Sequence, residues 1–275
     1  MVYVQIRPNG TRLGNWMFQY AAAKSAYPED GITFVIEDRS DWPKVEKFSV
    51  LFPDVTIADH APQGVVVRTK LYQDVKFLLP TVVAGLYACP VEIREKLESK
   101  YGQLLADDKV VSVHVRRGDY LRFPHRHPFV GKEYLESAIT KFKTMPGVKF
   151  IVCSDDIEWC KSFFSVKRFP NTQFYFSEGT SVLEDLFLMR SCQGGHICSN
   201  STFSWWGAYS GGSNQPMTIF PSMWYGLAVH GDWQGIYFKG SEVIKNHYSP
   251  AMYIKVLLHL LKDTMGNTLR KIGLR

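Results

Sequence analysis

Three polar clusters each follow a short apolar run, and each carries side chains able to act on an anionic, oxygen-rich ligand. The first is His114-Val115-Arg116-Arg117-Gly118-Asp119-Tyr120. Two adjacent guanidiniums offer forks that match phosphate oxygens, and they stay charged at any working pH. Gly118 permits a tight turn beside them, and His114 could add a donor to a phosphate or sugar oxygen. The same spacing also serves a surface ion pair of either arginine with Asp119, so both readings stand. The second cluster is Ser154-Asp155-Asp156. Paired carboxylates can hold Mg²⁺, but such sites draw oxygen ligands from more than one segment, and the other two clusters are cationic or neutral. One aspartate is therefore read as accepting hydrogen bonds from a base or ribose, the other as capping a helix. No metal is expected. The third, Ser199-Asn200-Ser201-Thr202-Phe203-Ser204-Trp205-Trp206, enters a helix whose free N–H groups suit a diphosphate. An ordinary capped helix fits it too, and Trp205 and Trp206 are read as core.

The elements that must position these clusters alternate short β-type runs with amphipathic helices, which favours an α/β fold. The first half reads as strand 2–7, helix 15–26, strand 32–37, apolar runs at 48–57 and 64–69, and a helix over 91–100 after Pro90. The polar segment 106–109 is taken as a boundary between domains. Beyond it come strands at 110–115, 149–153, 173–176 and 195–199, with helices at 132–145, 156–164, 181–191 and 202–210 between them. Ser181 and Glu184 stand at capping-box spacing. Met217–Phe220 is read as the last strand, before Pro221. Parallel strands would put all three polar clusters on one sheet edge, where ligands bind in open α/β sheets. The expected units are 1–106, 107–250 and a basic amphipathic helix at 251–275, with Val256, Leu257, Leu260, Leu261 and Met265 apolar and Lys255, Lys262, Arg270, Lys271 and Arg275 cationic. That helix either packs back on a domain or attaches peripherally to an anionic membrane surface.

Composition narrows the classes. The 275 residues are 45% hydrophobic and 21% charged, which is globular rather than disordered material. The formal charge of +6 suits an anionic ligand, and no nucleic-acid motif accompanies it. No apolar run is long enough to span a membrane, and Met1–Arg7 lacks the layout of a secretory signal. A cytoplasmic protein is expected, at most peripheral to the inner face of a bacterial membrane. The five cysteines lack zinc-type spacing and read as reduced, buried thiols. The sequons at Asn9 and Asn200 read as chance matches.

Five segments together carry a resemblance: Leu13–Ala21 (LGNWMFQYA), His114–Tyr120 (HVRRGDY), Ser154–Asp156, Glu184–Met189 (EDLFLM) and Ser199–Ala208 (SNSTFSWWGA). In order and spacing the series resembles the bacterial α-1,2-fucosyltransferases, the family 11 glycosyltransferases. The HxRRGD and NSTFSWWGA blocks are specific, whereas the LGN block alone is weak. The resemblance implies a GT-B fold of two facing Rossmann-like domains with parallel sheets, and GDP-fucose held mainly by the C-terminal one. It implies inverting transfer of fucose to a glycan hydroxyl, the 2-OH of galactose, without a metal or other cofactor. Carried over, His114, Arg116 and Arg117 match the donor-binding HxRR motif, with Arg116 on the β-phosphate. Asp155 or Asp156 would meet guanine or ribose, Ser201, Thr202, Phe203 and Ser204 the phosphates, and Asn15 would face the donor across the cleft. Asp119 is the candidate base, with the orienting of Arg116 as its other role. The sequence departs from the family at Trp16, usually Gln, and at Thr11-Arg12, usually a Gly pair, both on the presumed acceptor side. An α-1,6-fucosyltransferase or other GT-B nucleotide-sugar transferase, and a non-catalytic nucleotide- or glycan-binding protein, are the alternatives.

Overall fold

The computed structural model describes residues 1–212 and 215–271, the side chains of the last helix only to Gly266. Two all-parallel sheets form from the two halves of the chain. The first half runs β1 (Val2–Gln5), α1 (Leu13–Ala26), β2 (Ile32–Val35), α2 (Trp42–Glu46), β3 (Val55–Ala58), β4 (Val67–Arg68) and α3 (Pro80–Gly85). Its sheet has the order β3-β2-β1-β4. After α4 (Val91–Leu105) come β5 (Val110–Val115), α5 (Gly118–Arg122), α6 (Lys132–Phe142), β6 (Lys149–Ser154), α7 (Ile157–Phe163) and β7 (Gln173–Phe176). The chain then adds α8 (Val182–Arg190), β8 (Gly195–Ile197), α9 (Thr202–Ala208), β9 (Thr218–Pro221), β10 (Glu242–Ile244) and α10 (Pro250–Lys271).

The second sheet has the order β7-β6-β5-β8-β9-β10. Reading outward from β5, strands run one way through β6 and β7 and the other way through β8 to β10. The order therefore reverses between β5 and β8, and a crevice opens outside their carboxyl ends. Both sheets are Rossmann-like, and the α/β architecture of two parallel sheets expected from the sequence is the one observed. One strand of this second sheet was not foreseen. The series continues past Phe220 with β10, which pairs in parallel with β9 (Val243 opposite Phe220). Only three residues long, at the sheet edge and starting on a glutamate, it lacks the apolar run that marks a strand in sequence.

Burial explains the central strand. All six residues of β5 are buried, because helices cover both faces of a parallel sheet. One hydrophobic core passes through both halves: Phe18 of α1 lies 4.6 Å from the ring of Trp205 and 4.9 Å from that of Trp206 in α9. A second core fills the other face of β5 and β6 against Leu135, Ile139 and Phe142 of α6. α4 packs against α8, and Tyr101 donates to the Phe176 carbonyl at 3.4 Å. This helix keeps company with the second sheet, although it precedes 106–109. The Ser181–Glu184 capping box is present at the start of α8. All five cysteines are thiols, four of them buried.

α10 has two apolar sides. Val256 faces the body, where it is fully buried, and Asp263 Oδ2 lies 3.2 Å from His125 Nε2 and accepts from Arg126 at 3.3 Å. The expected single set of Val256, Leu257, Leu260, Leu261 and Met265 is thereby split. Leu257, Leu261 and Met265 join Ile254 and Leu258 on the outer side, with Met265 64% and Leu261 60% exposed. Helical geometry sets Val256 about 100° away from Leu257, which explains the division. Among the described residues no helix is long and apolar enough to cross a membrane. Residues 272–275, including Arg275, lie outside the described residues, and nothing is described of the Arg270 and Lys271 side chains.

Candidate active site at the strand switch point

β8, β5 and β6 are neighbours in one parallel sheet, so their carboxyl ends bring the three polar clusters side by side. Arg116 leaves β5 and is gripped by two carboxylates. Its Nε and Nη2 donate to Asp119 Oδ1 at 3.1 and 2.7 Å, and its Nη1 lies 3.1 Å from Asp155 Oδ2. Asp119 reaches it because Gly118 starts the short helix α5, which turns the chain back over the strand end. A Cβ on Gly118 would come within 2.6 Å of Asp155 Oδ2, so a larger residue there would push the Asp155 carboxylate aside.

Arg117 diverges from Arg116. Its backbone N–H donates to Asp155 Oδ1 at 2.8 Å, its Nε to Asp156 Oδ2 at 2.8 Å, and its guanidinium lies 4.0 Å from the Trp159 ring centroid. Asp156 also caps α7 by accepting from the Trp159 N–H at 3.2 Å. The Arg117 hydrogen bond, ahead of an opposing burial effect, holds the Asp156 carboxyl below its usual range. The sequence sets one aspartate toward a base or ribose and the other as a helix cap. The cap is present in Asp156, and both carboxylates also hold arginines, the nearest available counter-charge. Among the described residues no cluster of three or more His, Cys, Asp or Glu side chains could hold a metal ion.

His114, the expected donor to a phosphate or sugar oxygen, is buried. It is 5% exposed, with Nδ1 2.7 Å from Ser199 Oγ, and burial, aided by Arg116, drives its pKa down to about 3. The neutral imidazole is braced through Nδ1 on the residue just past β8. Period-two alternation assigns it to the face of Ser112 and Arg116, but covering of both faces buries it. In the third cluster, Ser201 is the N-cap of α9 without a side-chain cap bond. Ser204 is buried and accepts from the Ser199 N–H at 3.2 Å, so its hydroxyl serves the turn. The Phe203 ring stands 5.5 Å from His114. Trp205 and Trp206 are fully buried, as expected.

The first sheet's share comes through α1. Its amino end, with Arg12 as N-cap, abuts that of α9: a Cβ on Gly14 would fall 2.6 Å from Thr202 Oγ1 and from Phe203 N. Arg12 extends to Asp119 Oδ2 at 3.4 Å and so touches the Arg116 cluster from the other side. The two departures from the family pattern contact each other, since Trp16 Nε1–H donates to Thr11 Oγ1 at 2.9 Å. Asn15 Oδ1 accepts from Gln73 at 2.5 Å, and Gln73 Oε1 accepts from the Tyr225 hydroxyl at 2.9 Å. Tyr225, Gln73 and His127 were not singled out in the sequence, and Tyr120 was quoted only as the end of the arginine segment. The His125-Arg126-His127 run after that segment is the one signal that could have found His127.

Comparison with known proteins matches residues 84–240 to the family described as glycosyl transferase family 11. The O-antigen biosynthesis glycosyltransferase WbnK of Escherichia coli is 36% identical over 122 residues, 42% of this chain and 38% of that protein. An alpha-1,2-colitosyltransferase of Escherichia coli is 35% identical over 119 residues, 42% of this chain and 41% of that protein. Human galactoside alpha-(1,2)-fucosyltransferase 1 is 32% identical over 133 residues, 44% of this chain and 36% of that protein. The matches thus span about two-fifths of the relatives' own length.

Proposed function

This chain belongs to glycosyl transferase family 11, and from that premise we propose that it moves L-fucose from GDP-β-L-fucose to a glycan hydroxyl, the 2-OH of galactose, with inversion and without a metal. The observation that carries the reading is Arg116 at the switch point, gripped by Asp119 and Asp155 and reached from α1 by Arg12. Displacement at the anomeric carbon leaves negative charge growing on the departing diphosphate. A fixed guanidinium offsets that charge in place, with no reorganisation at the moment of reaction. Its carboxylate partners are partly exposed, and exposed ion pairs contribute only about 0–1 kcal/mol. An incoming diphosphate can therefore take Nη1 over from Asp155, while Asp119 keeps Nε and Nη2.

In this reading Asp119 orients Arg116, and Arg117 holds Asp155 and Asp156 for the nucleoside. Ser201 and Thr202 line the phosphate side, and Asn15 faces the donor from α1. Two lobes close on the donor, dividing between α3 and α4, since α4 packs with the second sheet. The relatives' names favour a role in building a surface polysaccharide such as O-antigen. α10 supplies a peripheral contact with an anionic membrane, supported by its outer apolar stripe flanked by Lys262. A second reading, colitose in place of fucose as the transferred sugar, rests on the colitosyltransferase similarity.

The test is GDP release from GDP-fucose and GDP-colitose with galactose-terminated acceptors, the product linkage read by NMR. We expect an α-1,2 fucoside at an undiminished rate in excess EDTA. Loss of activity restored by Mg²⁺ or Mn²⁺ would favour aspartate-held metal instead. Binding of GDP with no turnover of either donor would point to the non-catalytic alternative.

A further inference from the structure

The acceptor hydroxyl must lose a proton as it attacks, and Asp119 is badly placed to take it. Its Oδ1 accepts two bonds from Arg116 and its Oδ2 one from Arg12. A carboxylate committed to two guanidiniums is a poor base. A different group stands one aromatic ring away. The His127 imidazole lies flat on the Tyr120 ring, centroids 4.9 Å apart at 16°, and the Arg116 guanidinium lies 5.8 Å from the same ring centroid. Tyr120 is held in place by its hydroxyl, which donates to the Asn200 carbonyl at 2.9 Å. His127 also stands 5.8 Å from the Tyr225 ring, whose hydroxyl leads through Gln73 to Asn15. It therefore joins the Arg116 side of the site to the α1 side.

The other histidines of this region have partners: His114 bonds Ser199, His125 pairs with Asp263, and His196 lies 2.8 Å from Ser112. The His127 ring makes stacking contacts, but among the described residues its nitrogens have no hydrogen bond or ion pair. We infer that His127 is the general base of the transfer, which rests on the fucosyltransferase reading above. The acceptor O–H proton passes to an imidazole nitrogen as the acceptor oxygen bonds to the anomeric carbon. The bond from that carbon to the diphosphate oxygen breaks, and GDP leaves with the electron pair. The imidazolium then returns its proton to water.

The charged groups facing His127 fit this role. Burial lowers its pKa from the ordinary 6.5, with Arg126, Arg116 and His125 adding to the shift, and Asp119 opposes it. The ring is neutral at physiological pH and ready to accept a proton, and Asp119 is at hand to steady the imidazolium once formed.

The test uses His127→Gln and His127→Asn in the full chain, with GDP affinity by calorimetry and kcat/KM across pH. A lost general base is expected to cost about 10²-fold or more in kcat, while GDP affinity and the donor KM stay within about twofold. The acidic limb of the wild-type profile should vanish from the variants. Turnover within threefold of wild type, or an unchanged acidic limb, would overturn the assignment. Loss of GDP binding in step with turnover in both variants would also overturn it, making His127 a structural brace. Absence of transfer by the wild-type enzyme would instead sink the fucosyltransferase reading itself.

Discussion

Gly14 and Thr202 meet where the amino ends of α1 and α9 abut, so closely that a Cβ on Gly14 would lie 2.6 Å from Thr202 Oγ1. The contact is locked by Trp206, whose indole N–H donates to the Gly14 carbonyl at 3.0 Å. These are the helices that follow β1 and β8, the strands beside the two points where strand order reverses. The glycine thus fixes how far Arg12 and Asn15 stand from the Arg116 cluster.

Gly14→Ala should therefore act on stability and on the site together. The added methyl meets backbone atoms of Thr202 and Phe203, which cannot swing aside as a side-chain tip can. Overpacking of this kind costs about 1–3 kcal/mol, and each kcal/mol lowers Tm by about 2–4 °C in a chain somewhat smaller than this one. Scanning calorimetry checks it. An unchanged Tm would mean that the two helix ends are free to separate.

Arg116→Ala should leave the fold intact and remove transfer, by about 10²-fold or more in kcat, the scale for a lost oxyanion donor. Arg116 is part-exposed and its ion pairs add little stability, so circular dichroism and Tm should barely move. Arg116→Lys should rescue little, because a point charge cannot reproduce the fork. Near-normal turnover in the alanine variant would remove Arg116 from the diphosphate.

Burial of two neutral imidazoles makes stability depend on acid. His114 and His196 each have a folded pKa of about 3, driven down by desolvation, against an ordinary 6.5. The unfolded chain binds these protons first, so the contribution is fully present above pH 6.5 and is lost as pH falls toward 3. Each group gives a slope of up to about 1.4 kcal/mol per pH unit in that window. Urea midpoints should fall from pH 7 to pH 5 with an unchanged m-value. His196→Asn should show a shallower fall, and equal slopes would exclude this source.

How much of this was legible in sequence depends on what each feature rests on. β5 was readable to the residue because a covered central strand is a near-continuous apolar run. The convergence of the three clusters followed from parallel strands alone. The partners of the arginines were not readable as a set. The spacing of Arg116 and Asp119 left clamp and ion pair equally open, and only the turn at α5 brings the two side chains together. His127 lies in a segment without periodicity between α5 and α6. Its place beside Tyr120, Tyr225 and the Arg116 cluster comes from packing against α10 and the 222–229 loop, through Asp263 and the pairing of Ala228 with His125. Such contacts join residues about 100 positions or more apart and leave no local pattern.

The outer side of α10 yields the last prediction. Ile254, Leu258, Leu261 and Met265 recur every three or four residues and are each more than half exposed. Lys262 flanks this stripe, while Lys255 donates to the Leu121 carbonyl of the body at 2.6 Å. An anionic bilayer accepts both the stripe and the Lys262 charge beside it. The protein should float with vesicles containing phosphatidylglycerol and much less with neutral phosphatidylcholine. Leu258→Asp with Leu261→Asp should abolish flotation and leave GDP binding unchanged, because neither residue touches the switch-point crevice. Val256→Asp is the contrasting control: Val256 is fully buried, so this change should lower Tm rather than act on the lipid contact alone. Flotation that survives the double substitution, or that ignores lipid charge, would rule out α10 as the attachment.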